Sequence, residues 1–373
     1  MTHHLDQLAA TGMRFTNCYA TTNCTTTRAE LLTGQYPFRN GWTELANPGH
    51  ECFNPAQFSI PRMFKSMGYK TCISGKWQLC LHELKPDNIA NSGFDEHFVY
   101  AWAHKGQLLN RYWSPVIWTN SELQSEPYAG KYGPDLYNEY LLKFITRHHK
   151  QPFFAYYPMC LPHSPFYMPP SEANENTTFR QNSNFTHLIK YIDYLVGKVV
   201  THLENLGIRE KTIIILTADN GCTDSIYSRL NGRQVQGGKS SLRELGVRVP
   251  FIVNWKGTTP EGAVEPMLTD FTDILPTMAE AATANIPPNT QLDGRSIFPV
   301  FRRNPIASRD WIYSQYAHKW VIRNRNWKLF WNGKLFDLEN DPYEDFPIMP
   351  ISDSSRSSAA RVELQGYYDD LVN

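Results

Sequence analysis

Strands alternating with helices, each strand a compact apolar run, predict an α/β protein whose mostly parallel central sheet is covered by helices on both faces. Ile213-Ile214-Ile215-Leu216 is a continuous β-branched run of the kind a buried strand needs. After about residue 302 the pattern changes to short aromatic and β-branched runs, the mark of a small antiparallel sheet. The expected organisation is a large domain over residues 1–302 and an antiparallel β subdomain with a tail over residues 303–373. A chain of 373 residues is long enough to bury both cores.

Charge and composition narrow the function. Lys plus Arg and Asp plus Glu both number 36, so there is no overall basic field for nucleic acid and no acidic tail. No apolar run approaches the length needed to span a membrane. The start carries no basic segment followed by an apolar core, so no export signal is visible. Seven cysteines, at 18, 24, 52, 72, 80, 160 and 222, lack metal-knuckle spacing and leave both compartment and disulfide pairing open.

In order along the chain, residues 4–12 read as a helix stopped by Gly12, and Met13 to Tyr19 lead into a loop before Cys24. From Cys24 to Gly34 a threonine cluster able to cap a helix is followed by good helix formers and a glycine stop. Cys24 then lies at the positive end of a short helix, where an anion is favoured and a thiol ionises easily. Arg28, four residues on, shares its face and offers a planar fork of donors to a bound oxyanion. The pair suits a tetrahedral anionic ester.

Residues 57–67 predict a helix and 69–74 a strand, which places Lys76 at a strand's carboxyl end, where open α/β sheets gather ligands. Residues 81–135 have weak periodicity and read as long loops over the active face. A helix over 136–148, a buried strand over 152–157 and a helix over 186–206 follow, with His163 among prolines between them. The apolar run from Lys211 ends in Asp219-Asn220-Gly221, a central strand delivering hard oxygen ligands at its tip. Glycines at 237 and 238 let the backbone approach closely beside Lys239, and Phe251 to Asn254 form a strand. Short strands over 311–316, 320–323 and 327–331, the Asn332-Gly333 turn and a possible final helix after Ser352 complete the chain.

Several of these blocks together resemble the sulfatase family. Its signature, Cys or Ser, any residue, Pro, any residue, Arg and a helix ending in Leu-Thr-Gly, stands here as Cys24-Thr25-Thr26-Thr27-Arg28-Ala29-Glu30-Leu31-Leu32-Thr33-Gly34. Gly75-Lys76-Trp77-Gln78 is similar to the family's Gly-Lys-Trp-His, Pro162-His163-Ser164-Pro165 to its Pro-His-x-Pro, and Gly237-Gly238-Lys239 with Arg248-Val249-Pro250 to its Gly-Gly-Lys and Arg-Val-Pro elements. The resemblance spans about residues 5 to 345 and implies an alkaline-phosphatase-like fold and sulfuric ester hydrolysis. It implies oxidation of Cys24 to formylglycine by a formylglycine-generating enzyme, and a divalent cation, usually calcium, held by Asp219, Asn220 and the modified residue 24. It further implies that Arg28, Lys76 and Lys239 stabilise charge, that His163 protonates the leaving oxygen, and that the substrate is a small-molecule or glycan sulfate ester met outside the cytoplasm.

Three departures from the family pattern keep a second reading open, a non-catalytic relative that binds sulfated glycans or a partner protein. Thr26 replaces the signature proline. Gln78 stands where the family has a histidine that takes a proton from the hydrate so that sulfate can leave; glutamine can bind substrate by hydrogen bonds but is no base. The apolar first strand and its metal-binding aspartate pair have no counterpart, since Met1 to Leu8 resembles only the end of that passage. Loss of an internal strand should leave two neighbours with unpaired backbone groups and bare apolar faces. Phosphomonoester or phosphonate hydrolysis on the same fold is a third reading.

Overall fold

The computed structural model describes residues 2–47, 50–120, 122–172 and 182–373. The chain opens with α1 (His3–Ala10), β1 (Met13–Tyr19) and α2 (Cys24–Thr33). It continues through α3 (Ile60–Ser66), β2 (Lys70–Lys76), β3 (Glu96–Tyr100), the short hairpin β4 (Ala103–His104) and β5 (Gln107–Leu108), then β6 (Ile117–Thr119) and β7 (Glu122–Gln124). Next come α4 (Gly133–His148), β8 (Phe153–Tyr156), α5 (Phe185–Asn205), β9 (Ile214–Thr217), the hairpin β10 (Tyr227–Leu230) and β11 (Arg233–Gln236), β12 (Arg248–Asn254), β13 (Ala263–Asp270) and α6 (Ile274–Ala281). The antiparallel strands β14 (Ile312–Tyr316), β15 (Lys319–Arg323), β16 (Trp327–Phe330) and β17 (Leu335–Asp337) and the helix α7 (Ser355–Val372) end it.

The expected α/β architecture is present, with mixed strand directions. One sheet has the order β13-β1-β12-β9 and a second β7-β6-β3-β2-β8. Parallel pairs join β1 to β13 and β2 to both β3 and β8, whereas β12 runs against β1 and β9, and β6 against β3 and β7. Residues 81–135, expected as loops, instead supply five strands, three of which extend the second sheet. Their runs of two to five residues are too short to show a period.

The two sheets do not join. β8 and β9 are both edge strands, and both line one cavity of about 1810 Å³ together with Phe64, Val196, Val199 and Leu203. Every residue of β8 and β9 is half-buried, although both runs predicted buried strands. No strand among the described residues lies between them, so each keeps an unpaired row of backbone groups.

The C-terminal sheet packs on the first through an apolar cluster that includes Tyr19, Leu268, Ile312, Val321 and Phe330, and through buried charge. Lys328, with no exposed surface, reaches Glu244 at 3.1 Å and Glu344 at 2.9 Å, while Tyr19 donates to Glu244 at 2.7 Å. Burial pushes the Glu244 carboxyl up, but Lys328 and Arg323 outweigh it and hold the group down at about 2. Cys52 and Cys80 form a disulfide, a pairing the sequence left open.

Candidate active site

α2 carries the site, and it is an unusual helix. Nine of its ten residues are buried, polar ones included, so its polar groups need partners inside the protein. Gly34 ends it in the left-handed conformation, as its position predicted. The threonines do not cap it. Asn23 holds the cap position without a side-chain bond, and the hydroxyls serve other partners: Thr26 donates to the Asn23 carbonyl at 2.8 Å and Thr27 to the Asp219 carbonyl at 2.7 Å. With no side chain spanning its first amides, the helix keeps its positive end open beside Cys24.

The predicted residues converge there. Arg28 Nη1 donates to the Lys76 carbonyl at 2.8 Å and to the Tyr156 hydroxyl at 3.4 Å, and Nη2 pairs with Asp219 at 2.9 Å. Its buried Nε has no partner. Cys24 Sγ donates to Gln78 Oε1 at 3.4 Å. Burial raises the Cys24 pKa, yet Lys76, Lys239 and Arg28 outweigh both burial and Asp219 and bring it below 9.0. Asp219 behaves alike: burial raises it, and Arg28, Lys76 and Lys239 together hold it below its ordinary value.

Backbone geometry sets these positions. Lys76 ends β2, buried, with its amide bonded to the Pro158 carbonyl at 2.8 Å. The Lys239 loop is tied to the turn before α2, Ser240 N–H donating to the Thr22 carbonyl at 3.1 Å and its hydroxyl to Asn23 Oδ1 at 2.9 Å. A side chain at Gly237 would meet the Thr223 carbonyl at 2.1 Å, so glycine alone lets the Asp219 and Lys239 loops touch.

His163 faces the same cavity from the segment after β8. Burial, Lys76, Arg111 and Lys239 drive its pKa down to about 2. Its Nδ1 lies 2.6 Å from the Ser164 carbonyl, which can only accept, so Nδ1 carries the hydrogen and Nε2 is left as an acceptor. Without substrate His163 is therefore a neutral acceptor; the sequence cast it as an acid.

Two participants escaped the sequence reading. Arg111, inside the stretch read as loops, lines the cavity and acts on both Lys76 and His163. Tyr156, in a strand read as core, reaches Arg28. Neither carries a local signal, because each is brought in by pairing distant in sequence.

The donor set accommodates a hard cation only in part. Asn220 Oδ1 is buried without a hydrogen-bond partner, and Asp219 adds a carboxylate. That carboxylate already pairs with Arg28, and two protein oxygens fall short of the roughly six to eight such a cation takes. Residue 24 and substrate oxygens would have to contribute.

The Sulfatase family profile matches residues 1–284. The chain belongs to the sulfatase family. It is 29% identical to mouse (Mus musculus) N-acetylgalactosamine-6-sulfatase over 96% of its own length and 79% of the relative's. It is also 30% identical to an arylsulfatase of Hemicentrotus pulcherrimus (79% of this chain, 56% of that one) and 29% identical to human (Homo sapiens) arylsulfatase A (80% and 62%). Solved structures share the fold. A protein of a Bacteroides thetaiotaomicron glycosaminoglycan-metabolism locus matches with TM-score 0.79 at 22% identity, over 99% of this chain and 94% of its own. Ps i-CgsB, solved with a neocarrahexaose bound, matches with TM-score 0.82 at 24% identity, over 98% and 87%. The chain is thus a sulfatase, an enzyme that hydrolyses sulfuric esters. Among its described residues no helix is long and apolar enough to cross a membrane.

Proposed function

We propose that this sulfatase cleaves the sulfate ester of a sulfated glycan, with residue 24 as the nucleophile. The carrying observation is Cys24 itself, at the open N-terminus of a buried helix and under enough positive charge that its pKa falls in spite of burial. Relatives named for N-acetylgalactosamine 6-sulfate support an amino-sugar ester as the substrate. The Cys52–Cys80 disulfide supports a periplasmic or extracellular location.

Formylglycine at position 24, made by the formylglycine-generating enzyme, would supply as its hydrate the oxygen that attacks sulfur; a cation on Asp219, Asn220 and residue 24 would polarise the sulfate. The chain's own side chains do the rest. Lys76 and Lys239 bring charge to the sulfuryl oxygens, and Arg28, held on both Nη atoms, keeps its free Nε–H for the same anion. Burial first, and then the charges of Lys76, Arg111 and Lys239, keep His163 unprotonated in the free site; an anion seated among those three cations offsets their share, so His163 takes up a proton from solvent as substrate binds and passes it to the leaving oxygen. Gln78 can orient the nucleophile but cannot take its proton.

The test is mass spectrometry of the peptide containing residue 24 from the native source, alongside rates on 4-nitrophenyl sulfate, 4-nitrophenyl phosphate and N-acetylgalactosamine 6-sulfate. The expected results are loss of thiol chemistry at residue 24, sulfate hydrolysis exceeding phosphate hydrolysis, and no activity in Cys24→Ala. Gln78 favours the non-catalytic reading, and unmodified Cys24 with glycan binding but no turnover would establish it.

A further inference from the structure

A second cluster of metal-ligating side chains lies apart from Asp219 and Asn220. His82, Glu83 and His104 place their donor atoms within 4.8 Å of one another, and no other three His, Cys, Asp or Glu side chains among the described residues do so. His104 Nδ1 already pairs with Glu83 Oε1 at 2.5 Å. The ring nitrogens of His82 are buried beside that pair without a well-aligned hydrogen-bond partner. Two imidazoles gathered on one carboxylate, one of them poorly satisfied, fit a site that a shared ion would complete.

We propose that His82, Glu83 and His104 bind one divalent transition-metal ion of the zinc type. Two imidazoles and a carboxylate suit zinc, the fourth position being left to water. The His82 and His104 ring centroids are 5.8 Å apart with planes inclined by 19°. With metal–nitrogen bonds of about 2.0–2.1 Å, two imidazoles sharing a tetrahedral ion have centroids roughly 5–6 Å apart, so the ring spacing matches and side-chain rotation would draw the donor atoms together. The supports are already in place. Trp118 stacks on His82 at 4.7 Å, and the Lys105 amide donates to both Glu83 oxygens, at 3.0 and 3.2 Å. His104 is presented by the β4–β5 hairpin, whose Lys105 and Gly106 both have positive φ, 47° and 75°, as a tight two-residue turn requires.

Location gives the ion a consequence. It would fasten the β4–β5 hairpin to the segment just after Gln78; Leu108 of that hairpin and the flanking Trp102 and Arg111 line the cavity holding Cys24 and Lys76. The ion is a clamp on the wall of the substrate pocket and takes no part in the chemistry.

Zinc titration of the full chain, in excess calcium to saturate any hard-cation site, should give one zinc per chain, with cobalt(II) producing the visible bands of tetrahedral coordination. His104→Gln and His82→Ala should each weaken zinc binding by more than about 100-fold, and Glu83→Gln by about 10-fold or more. Asp219→Asn should leave it unchanged. His104 lies on a surface hairpin, so His104→Gln reads binding even if His82→Ala fails to fold. No stoichiometric zinc in the unaltered chain, or unchanged zinc affinity in His104→Gln, would overturn the proposal.

Discussion

At the level of single residues, the proposed chemistry turns on Gln78 and His163. Gln78 Oε1 accepts from Cys24 Sγ, so position 78 touches the proposed nucleophile but has no group that can remove its proton. Sulfuryl transfer can proceed while release of sulfate lags. On an aryl sulfate the enzyme should give a burst of phenol near one equivalent, followed by slow turnover. Gln78→His should raise the steady rate by about 10²-fold or more and abolish the burst; steady kinetics without a burst in the unaltered enzyme would remove this argument. His163 makes a second, separable prediction. With its pKa at about 2 in the free enzyme, it is unprotonated throughout the working range, because falling pH charges it only near 2. If His163 must gain a proton to serve the leaving oxygen, log kcat/KM on esters of poor leaving groups should fall by about one unit per pH unit between about pH 4 and 8, with no inflection from His163 in that range. His163→Ala should slow esters of poor leaving groups far more than 4-nitrophenyl sulfate, and equal losses on both would contradict a role at the leaving oxygen.

At the level of elements, the joint between the first sheet and the C-terminal sheet combines an apolar cluster of Tyr19, Leu268, Ile312, Val321 and Phe330 with a buried charge cluster centred on Lys328. Lys328 is wholly buried between Glu244 and Glu344, so removing its charge strands two carboxylates away from water. Lys328→Met should destabilise by about 3–5 kcal/mol in denaturant melts, while adding Glu244→Gln and Glu344→Gln should recover much of the loss. A single-substitution effect under about 1 kcal/mol would show that these charges are hydrated in solution. Elements were legible from sequence where one signal suffices: the run at Ile213 to Leu216, the glycine after Thr33, the Asn332-Gly333 turn between β16 and β17. They were not where identity depends on distant partners. β6 and β7, three residues each, exist because β3 offers an edge, and Thr27 gives its hydroxyl to the Asp219 carbonyl of another loop rather than to its own helix. Of the candidate site, residues in contiguous blocks such as Cys24, Arg28, Lys76 and Lys239 could be found, whereas Arg111 and Tyr156 could not.

On the scale of the whole molecule, the active site is divided between two sheets that do not pair. Asp219 follows β9 in the first, while Lys76 ends β2 and His163 follows β8 in the second. Arg28 bridges the halves, one Nη on the Lys76 carbonyl and the other on Asp219. Below that bridge the unpaired edges of β8 and β9 face a largely apolar space of about 1810 Å³. An open edge leaves amides to water, and apolar walls of this extent invite small hydrophobic ligands. Residues 1–373 should accordingly bind an anilinonaphthalene dye in the native state. The backbone amides of β8 and β9 should exchange with solvent much faster than those of β2 and β12, which are paired on both sides. Binding of sulfate across Lys76 and Lys239 should slow that exchange, since the anion ties the two halves together from above. Equal protection of all four strands and no dye binding would mean that the gap is closed in solution, and that the two halves of the site are held by more than Arg28 and its neighbours.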